Sequence, residues 1–280
     1  MGKKTCFIFL CLLCLALFST VNGLKGQRFD AKLFVFGDSY VDTGNSPRSI
    51  AKAWKPPYGI TYPGKPSGRF SDGRVLTDYI ASFLRIRSPM PYVLNNFNPT
   101  FIRYGINFAH GGTGVFPTLD ASNQPNMTTQ IDFFQQLISK NVYIKENLRS
   151  SVALVSLAGN DYATYLAKNG TIESHNELLL ENLLSLNKES SAPVFIYLDL
   201  YKAFSSALKL QQFPSGNQLL KPCCAGVDGE DCGFVDTNGI RKYVLCRNLR
   251  QSFFWDLLHP TNEGWRAVYF ALRPSLKNLL

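Results

Sequence analysis

Histidine is scarce in this chain, with three in 280 residues, so histidine chemistry has few places to sit. Beyond residue 23 no stretch is apolar enough to anchor the chain in a bilayer, so stable membrane insertion is not expected. Basic residues outnumber acidic ones by 29 to 20, yet they are scattered, with no run of Lys and Arg interleaved with aromatics. That pattern reads as a solvated surface suited to acidic surroundings and argues against a nucleic-acid partner. There is no internal repeat and no low-complexity linker, so the chain reads as one domain. The cysteines match no common zinc-ligand spacing, and neither a metal nor a cofactor is expected. A Gly-x-Ser-x-Gly elbow is also missing: Val41 stands where its second glycine would follow Ser39.

What is present begins with Met1-Gly2-Lys3-Lys4, an apolar run from Cys6 to Phe18, and small residues up to Gly23. A basic start, a short apolar core and a small-residue cut site describe a secretory signal peptide over residues 1–23. The mature domain is then residues 24–280, exported and soluble, and removal of Lys3 and Lys4 takes the formal charge from +9 to +7. Of seven cysteines, four remain after the cut: Cys223, Cys224, Cys232 and Cys246. In an exported chain they are disulfide candidates with three possible pairings. Adjacent cysteines are badly placed to bond each other, so Cys223 and Cys224 should each take a different partner. Asn126-Met127-Thr128 and Asn169-Gly170-Thr171 are glycosylation sequons expected on surface loops.

A short apolar run, Leu33 to Phe36, stops at Gly37-Asp38-Ser39 and reads as a buried strand ending in a tight loop. Ligands of open α/β sheets bind beyond the carboxyl ends of the strands, which puts Ser39 where chemistry is done, although serine is also a common helix cap. Val75 to Leu84 carries apolar residues at helical spacing, as does Thr129 to Lys140, and Asn176 to Asn187 also reads as helix. Val152–Ala158 and Val194–Leu198 read as further buried strands. A last helix starts at Asn262, with Pro274 expected to bend or end it. Strands alternating with helices predict an α/β fold with a mainly parallel sheet.

Tyr104 to Gly114 opens from a short apolar piece into glycines, a loop able to bring backbone N–H groups close to a ligand or to serve as a plain turn. Near the end, Asp256-Leu257-Leu258-His259 places an acid three residues before a histidine. A carboxylate there can accept from Nδ1 and leave Nε2 as a general base, though a metal-ligand pair or a surface pair has the same spacing.

These blocks, taken in order, resemble the plant GDSL esterase/lipases of the SGNH hydrolase superfamily. Phe34 to Asn45 is similar to the nucleophile block, with Tyr40 where the family name expects leucine. Gly68 to Arg74 resembles a signature of the plant branch, Gly105 to Gly114 the glycine block, Gly159-Asn160-Asp161 the asparagine block, and Asp256 to His259 the acid–base block. The resemblance implies a flavodoxin-like three-layer sandwich. It further implies Ser39 as nucleophile, His259 as base and Asp256 as the group orienting it. The oxyanion hole would comprise the Ser39 and Gly112 N–H groups and the Asn160 amide, with Gly111 as the alternative to Gly112. Asp38 is expected to shape the loop rather than react.

One departure is large. Tyr165 to Thr171 passes almost directly to Ser174, so that roughly 50–60 residues, a strand–helix unit, are expected to be missing near Ile172. Either Val194–Leu198 shifts to fill the gap, or the shortened chain folds poorly or lacks activity. The expected function is a secreted serine esterase or lipase of the cell wall or apoplast, acting on acyl lipids or other small acyl esters. The alternative is a truncated, inactive secreted binding or defence protein.

Overall fold

The computed structural model describes residues 31–94, 99–115, 125–157, 159–189, 195–214 and 216–277. The expected signal peptide lies outside them, as do Ala158 and Val194. In chain order the elements are β1 (Lys32–Gly37), α1 (Leu76–Phe83), β2 (Met90–Pro91), β3 (Ile106–Asn107), α2 (Met127–Ser139), β4 (Ser151–Ser156), α3 (Gly159–Ala167), α4 (Ile172–Glu189), α5 (Leu200–Ala207), β5 (Cys224–Gly226), β6 (Tyr243–Leu245) and α6 (Asn262–Leu276), with short helical turns between some of them.

The apolar run of β1 is buried over its whole length because both faces of the strand are covered. Successive side chains of a strand point to opposite faces. Leu33 and Val35 pack with Leu76 and Ile80 of α1, Ala203 and Ala207 of α5, and Trp265 and Val268 of α6. Phe34 and Phe36 point the other way, to Phe108, Leu137 of α2 and Tyr143. The Phe36 and Phe108 rings stack at 5.1 Å. This is a three-layer α/β fold around a parallel sheet of order β2-β3-β1-β4. β1 and β4 pair over six positions from Lys32–Ser151 to Gly37–Ser156. β5 and β6 form a separate antiparallel ribbon.

The helices sit within a few residues of their expected positions. Asn126 caps α2, accepting the Thr129 N–H at 2.9 Å, and Thr261 caps α6 by accepting the Gly264 N–H at 2.9 Å. Pro274 falls in the last turn of α6, which runs on only to Leu276.

The third expected strand does not form: Phe195 to Leu198 is irregular chain. Its backbone is engaged elsewhere, since the Asn187 side chain donates to the Phe195 carbonyl at 2.7 Å and accepts its N–H at 2.8 Å. Phe195 to Leu198 therefore does not join the sheet, and among the described residues β4 is its edge. Where β1 is wholly covered, Val155 of β4 is 55 % exposed, and on α4 Leu178, Leu180 and Leu184 are exposed as well.

Candidate active site

Ser39 sits just beyond β1, in a loop built from backbone turns. The Asp38 carbonyl accepts from the N–H groups of Val41 and Asp42 at 3.2 and 3.0 Å, and the Asp38 carboxylate accepts the Tyr40 N–H at 2.9 Å. Asp38 thus shapes the loop. Gly37 is at φ +146°, and a Cβ there would stand 2.1 Å from the Ser156 carbonyl oxygen, so β4 approaches too closely for any side chain. Fully buried Gln130 brackets the same glycine: Oε1 accepts the Gly37 N–H at 2.8 Å, and Nε2 donates to its carbonyl at 2.9 Å.

After Ser39 the chain is tied to the end of β3. Asn45 donates to the carbonyls of Asn107 and Ala109, both at 2.8 Å, and Asn107 donates to the Val41 carbonyl at 2.7 Å. Asp42 accepts the N–H groups of Gly44 and Asn45 and the Ser46 hydroxyl, each at 2.7 Å. Burial nevertheless pushes the Asp42 carboxyl up, against those donors.

The far side of the site comes from the segment before α6. His259 Nδ1 lies 2.9 Å from both carboxylate oxygens of Asp256, and its Nε2 lies 2.8 Å from Ser39 Oγ. A carboxylate can only accept, so the imidazole proton resides on Nδ1 and Nε2 accepts from the serine hydroxyl. Asp256 Oδ1 also accepts the N–H groups of Leu258 and His259 at 2.9 and 2.8 Å, and Oδ2 accepts the Tyr58 hydroxyl at 2.8 Å. Burial alone would raise the Asp256 carboxyl; the facing His259 and these donors outweigh it and hold it well below the usual carboxylate range.

Two rings hold the imidazole. Phe70 stacks on it at 5.1 Å, and Tyr40 meets it edge-on at 6.0 Å. Tyr40, the departure from the expected leucine, also donates its hydroxyl to the Leu258 carbonyl at 3.1 Å. The Gly68–Arg74 stretch carries Phe70, and its Ser71 donates to the Pro260 carbonyl at 3.0 Å while Asp72 accepts the Asn262 N–H at 2.7 Å. That stretch is therefore a brace for the His259 turn. Its own anchor is the buried pair of Arg69 with Asp78 on α1, made by two N–H···O bonds of 2.9 and 2.8 Å.

The glycine loop is placed in the same region. The Gly111 N–H is engaged by Ser46 Oγ at 3.0 Å and Asp42 at 3.2 Å. Gly112 is at φ +85°. The Asn160 amide donates to the Thr113 carbonyl at 3.0 Å, linking the asparagine block to the glycine block. Tyr58 and Gln130 contact this site without a motif that marks them in the sequence. Pro56-Pro57-Tyr58-Gly59 lies in a stretch without periodicity, where an aromatic between turn residues was the one available signal, and Gln130 looks like any polar residue of an amphipathic helix.

The cysteines pair as Cys223–Cys246 and Cys224–Cys232, so the adjacent residues do take different partners. Asn126 is half-buried as a helix cap, and Asn169 is exposed in a turn at φ +62°. Among the described residues there is no group of three or more His, Cys, Asp or Glu placed to hold a metal ion, and no helix long and apolar enough to cross a membrane.

A buried parallel sheet with a serine, a histidine and an aspartate in contact beyond its strand ends is the architecture of an esterase-type hydrolase. The chain belongs to the GDSL-like lipase/acylhydrolase family, whose model matches residues 33–172. It is 41 % identical to GDSL esterase/lipase At5g03610 of Arabidopsis thaliana, over 96 % of this chain and 95 % of that protein. It is also 41 % identical to GDSL esterase/lipase At3g09930 of the same plant, over 88 % of each. A more distant relative, 26 % identical over 89 % of this chain and 90 % of its own length, is acetylajmalan esterase 2 of Rauvolfia serpentina. By family the chain is a hydrolase of ester bonds. The alignment with the first relative spans 345 positions against a chain of 280 residues, so at least 65 positions of it have no counterpart here. The family match stops at Ile172, near which the absent strand–helix unit is expected.

Proposed function

We propose that the chain is an exported serine esterase or lipase that cleaves carboxylic esters through an acyl-enzyme on Ser39. The observation that carries this is the unbroken contact from Ser39 Oγ to His259 Nε2 (2.8 Å) and from Nδ1 to Asp256 (2.9 Å). Ser39 Oγ attacks the ester carbonyl as Nε2 takes its proton, and Asp256 stabilises the imidazolium that forms. The tetrahedral oxyanion is received by the N–H groups of Ser39 and Gly112 and by the Asn160 amide. That amide has two N–H donors, and the one given to Thr113 orients the other. Collapse returns the carbonyl, and His259 passes its proton to the leaving alcohol. Water, deprotonated by Nε2, then releases the acid and restores Ser39. Preformed donors of this kind contribute about 3 kcal/mol each to the barrier reduction.

Exposed Leu257 and Leu258, beside His259, offer apolar surface to an acyl or alcohol group, in keeping with a small or lipid-like ester as substrate. The two disulfides fit an oxidising, exported setting, with residues 1–23 as signal and Asn126 and Asn169 as glycan acceptors. The test is hydrolysis of short-chain nitrophenyl esters and labelling by a fluorophosphonate. Ser39→Ala should abolish labelling and lower kcat by about 10⁵–10⁶-fold; equal rates in the two proteins would refute the reading.

The second reading is a non-catalytic secreted relative. The uncovered β4 edge and the exposed leucines of α4 favour it, because open apolar faces erode the margin of about 5–15 kcal/mol on which a domain stands. It predicts a folded chain with no turnover and no fluorophosphonate adduct, and stoichiometric labelling of Ser39 would overturn it.

A further inference from the structure

We propose that Tyr58 is a positioning residue of this site, its hydroxyl fixing the Asp256 carboxylate in the plane that serves His259. The inference rests on the esterase reading above. Tyr58 is fully buried, and its hydroxyl reaches Asp256 Oδ2 at 2.8 Å from a part of the chain 198 residues away.

The backbone and ring that carry this hydroxyl are both held in place. The Tyr58 N–H bonds the Lys55 carbonyl at 3.1 Å and the next N–H, of Gly59, bonds the Ser71 carbonyl at 3.0 Å, so the backbone is pinned between two turns. The ring meets Trp255 edge-on at 5.8 Å and packs within a cluster of Ala53, Phe70 and three of the bonded cysteines. A buried phenol donates one hydrogen bond, and here its one acceptor is the carboxylate. Burial, and then the neighbouring Asp256 charge, push the Tyr58 hydroxyl well above its ordinary range, so it keeps its proton and remains a donor at every working pH.

The two carboxylate oxygens are served unequally. Oδ1 receives two backbone N–H groups from its own turn, while Oδ2 receives Tyr58, and Nδ1 of His259 stands 2.9 Å from both. The backbone donors hold one oxygen but leave the carboxylate able to pivot about it. Tyr58 holds the second point and removes that pivot. It also shares the negative charge of Oδ2, so that oxygen pulls less strongly on the imidazole proton than it otherwise would.

Tyr58→Phe retains the ring against Trp255 and deletes only the donor. Kinetics on a short nitrophenyl ester, with active sites counted by fluorophosphonate, should show kcat lower by about tenfold with KM within about twofold, the lower end of what losing a partner that orients a metal-binding side chain costs. The low-field proton resonance of His259 Nδ1–H should move further downfield, because Oδ2 without Tyr58 accepts that proton more strongly. A purely structural role would reduce the number of active sites and leave the resonance of the folded molecules in place. Wild-type kcat together with an unmoved resonance would overturn the proposal. Failure of the esterase reading would show differently: the wild type would neither hydrolyse nor label, while the resonance would still report on Tyr58.

Discussion

Removing the Cys223–Cys246 bridge, as the double variant Cys223→Ser/Cys246→Ser, tests whether the disulfide segment holds the acid–base side of the site. The segment is stitched to the loop that delivers Asp256. The Cys223 N–H donates to the Phe254 carbonyl at 2.9 Å, the Cys224 N–H to the Trp255 carbonyl at 2.7 Å, and the Cys246 N–H to the Cys223 carbonyl at 2.6 Å. Trp255, which precedes Asp256, is wholly buried against Tyr58, Phe70 and the cysteines. The bridge closes a sequence separation of 23 residues, and the loss of loop-closure entropy from the unfolded chain gives about 3.4 kcal/mol. The Cys224–Cys232 bridge closes only 8 and gives about 2.5 kcal/mol on the same basis. For a domain of this size the first loss corresponds to a fall in Tm of about 7–14 °C. The assay is thermal unfolding with the rate of fluorophosphonate labelling measured at 25 °C. Labelling should slow before the sheet melts, since the loop carrying Asp256 loosens while β1 and β4 remain paired. An unchanged Tm with labelling at the wild-type rate would refute the reasoning and show that the bonded segment is peripheral to the site.

Gln130→Leu leaves the Gly37 N–H buried without its acceptor and should cost about 1–3 kcal/mol in urea unfolding, with slower Ser39 labelling. A neutral result would mean that the loop does not depend on this bracket. The pH dependence of stability follows from Asp78. Burial alone would raise its carboxyl, but the facing Arg69 outweighs this and holds it below the usual range. Its contribution is therefore present above the unfolded value near pH 4 and is lost as pH falls through the folded one. Asp78→Asn strands the Arg69 charge and should lower stability at pH 7 by about 3–5 kcal/mol. The gap to wild type should close as pH falls below about 4, read as Tm against pH; a gap constant down to pH 2 would contradict the assignment.

The parts of the fold visible in the amino-acid order are those whose pattern is local. Leu33 to Phe36 is apolar at every position because both faces of β1 are covered, and such a run is readable without knowing its neighbours. Val194 to Leu198 has the same composition, yet Phe195 to Leu198 forms no strand. A strand requires a partner for its ladder, and here the Asn187 side chain has taken the Phe195 backbone groups. β2 and β3, two residues each, are too short to show any period. Ser39, Asp256 and His259 were legible as separate blocks because each is a short motif of its own. Tyr58 was not, since its partner stands 198 residues away and nothing near it repeats. The pairing of the four cysteines is likewise a property of how the ribbon folds back on Trp255, which no spacing encodes.

The 220 residues that separate Ser39 from His259 give the proposed reaction a place in time. A chain made at about 5–20 residues per second presents the serine loop about 10–45 s before the histidine exists. During that interval β1, β3 and β4 can pair and the loop can close around Asp42, but the hydroxyl has no base. Under the proposed mechanism the serine gains its base only when α6 docks and carries the preceding turn, with His259, onto Phe70. A chain stopped before residue 259 lacks both the base proposed for Ser39 and the α6 side chains Trp265 and Val268 that cover one face of β1.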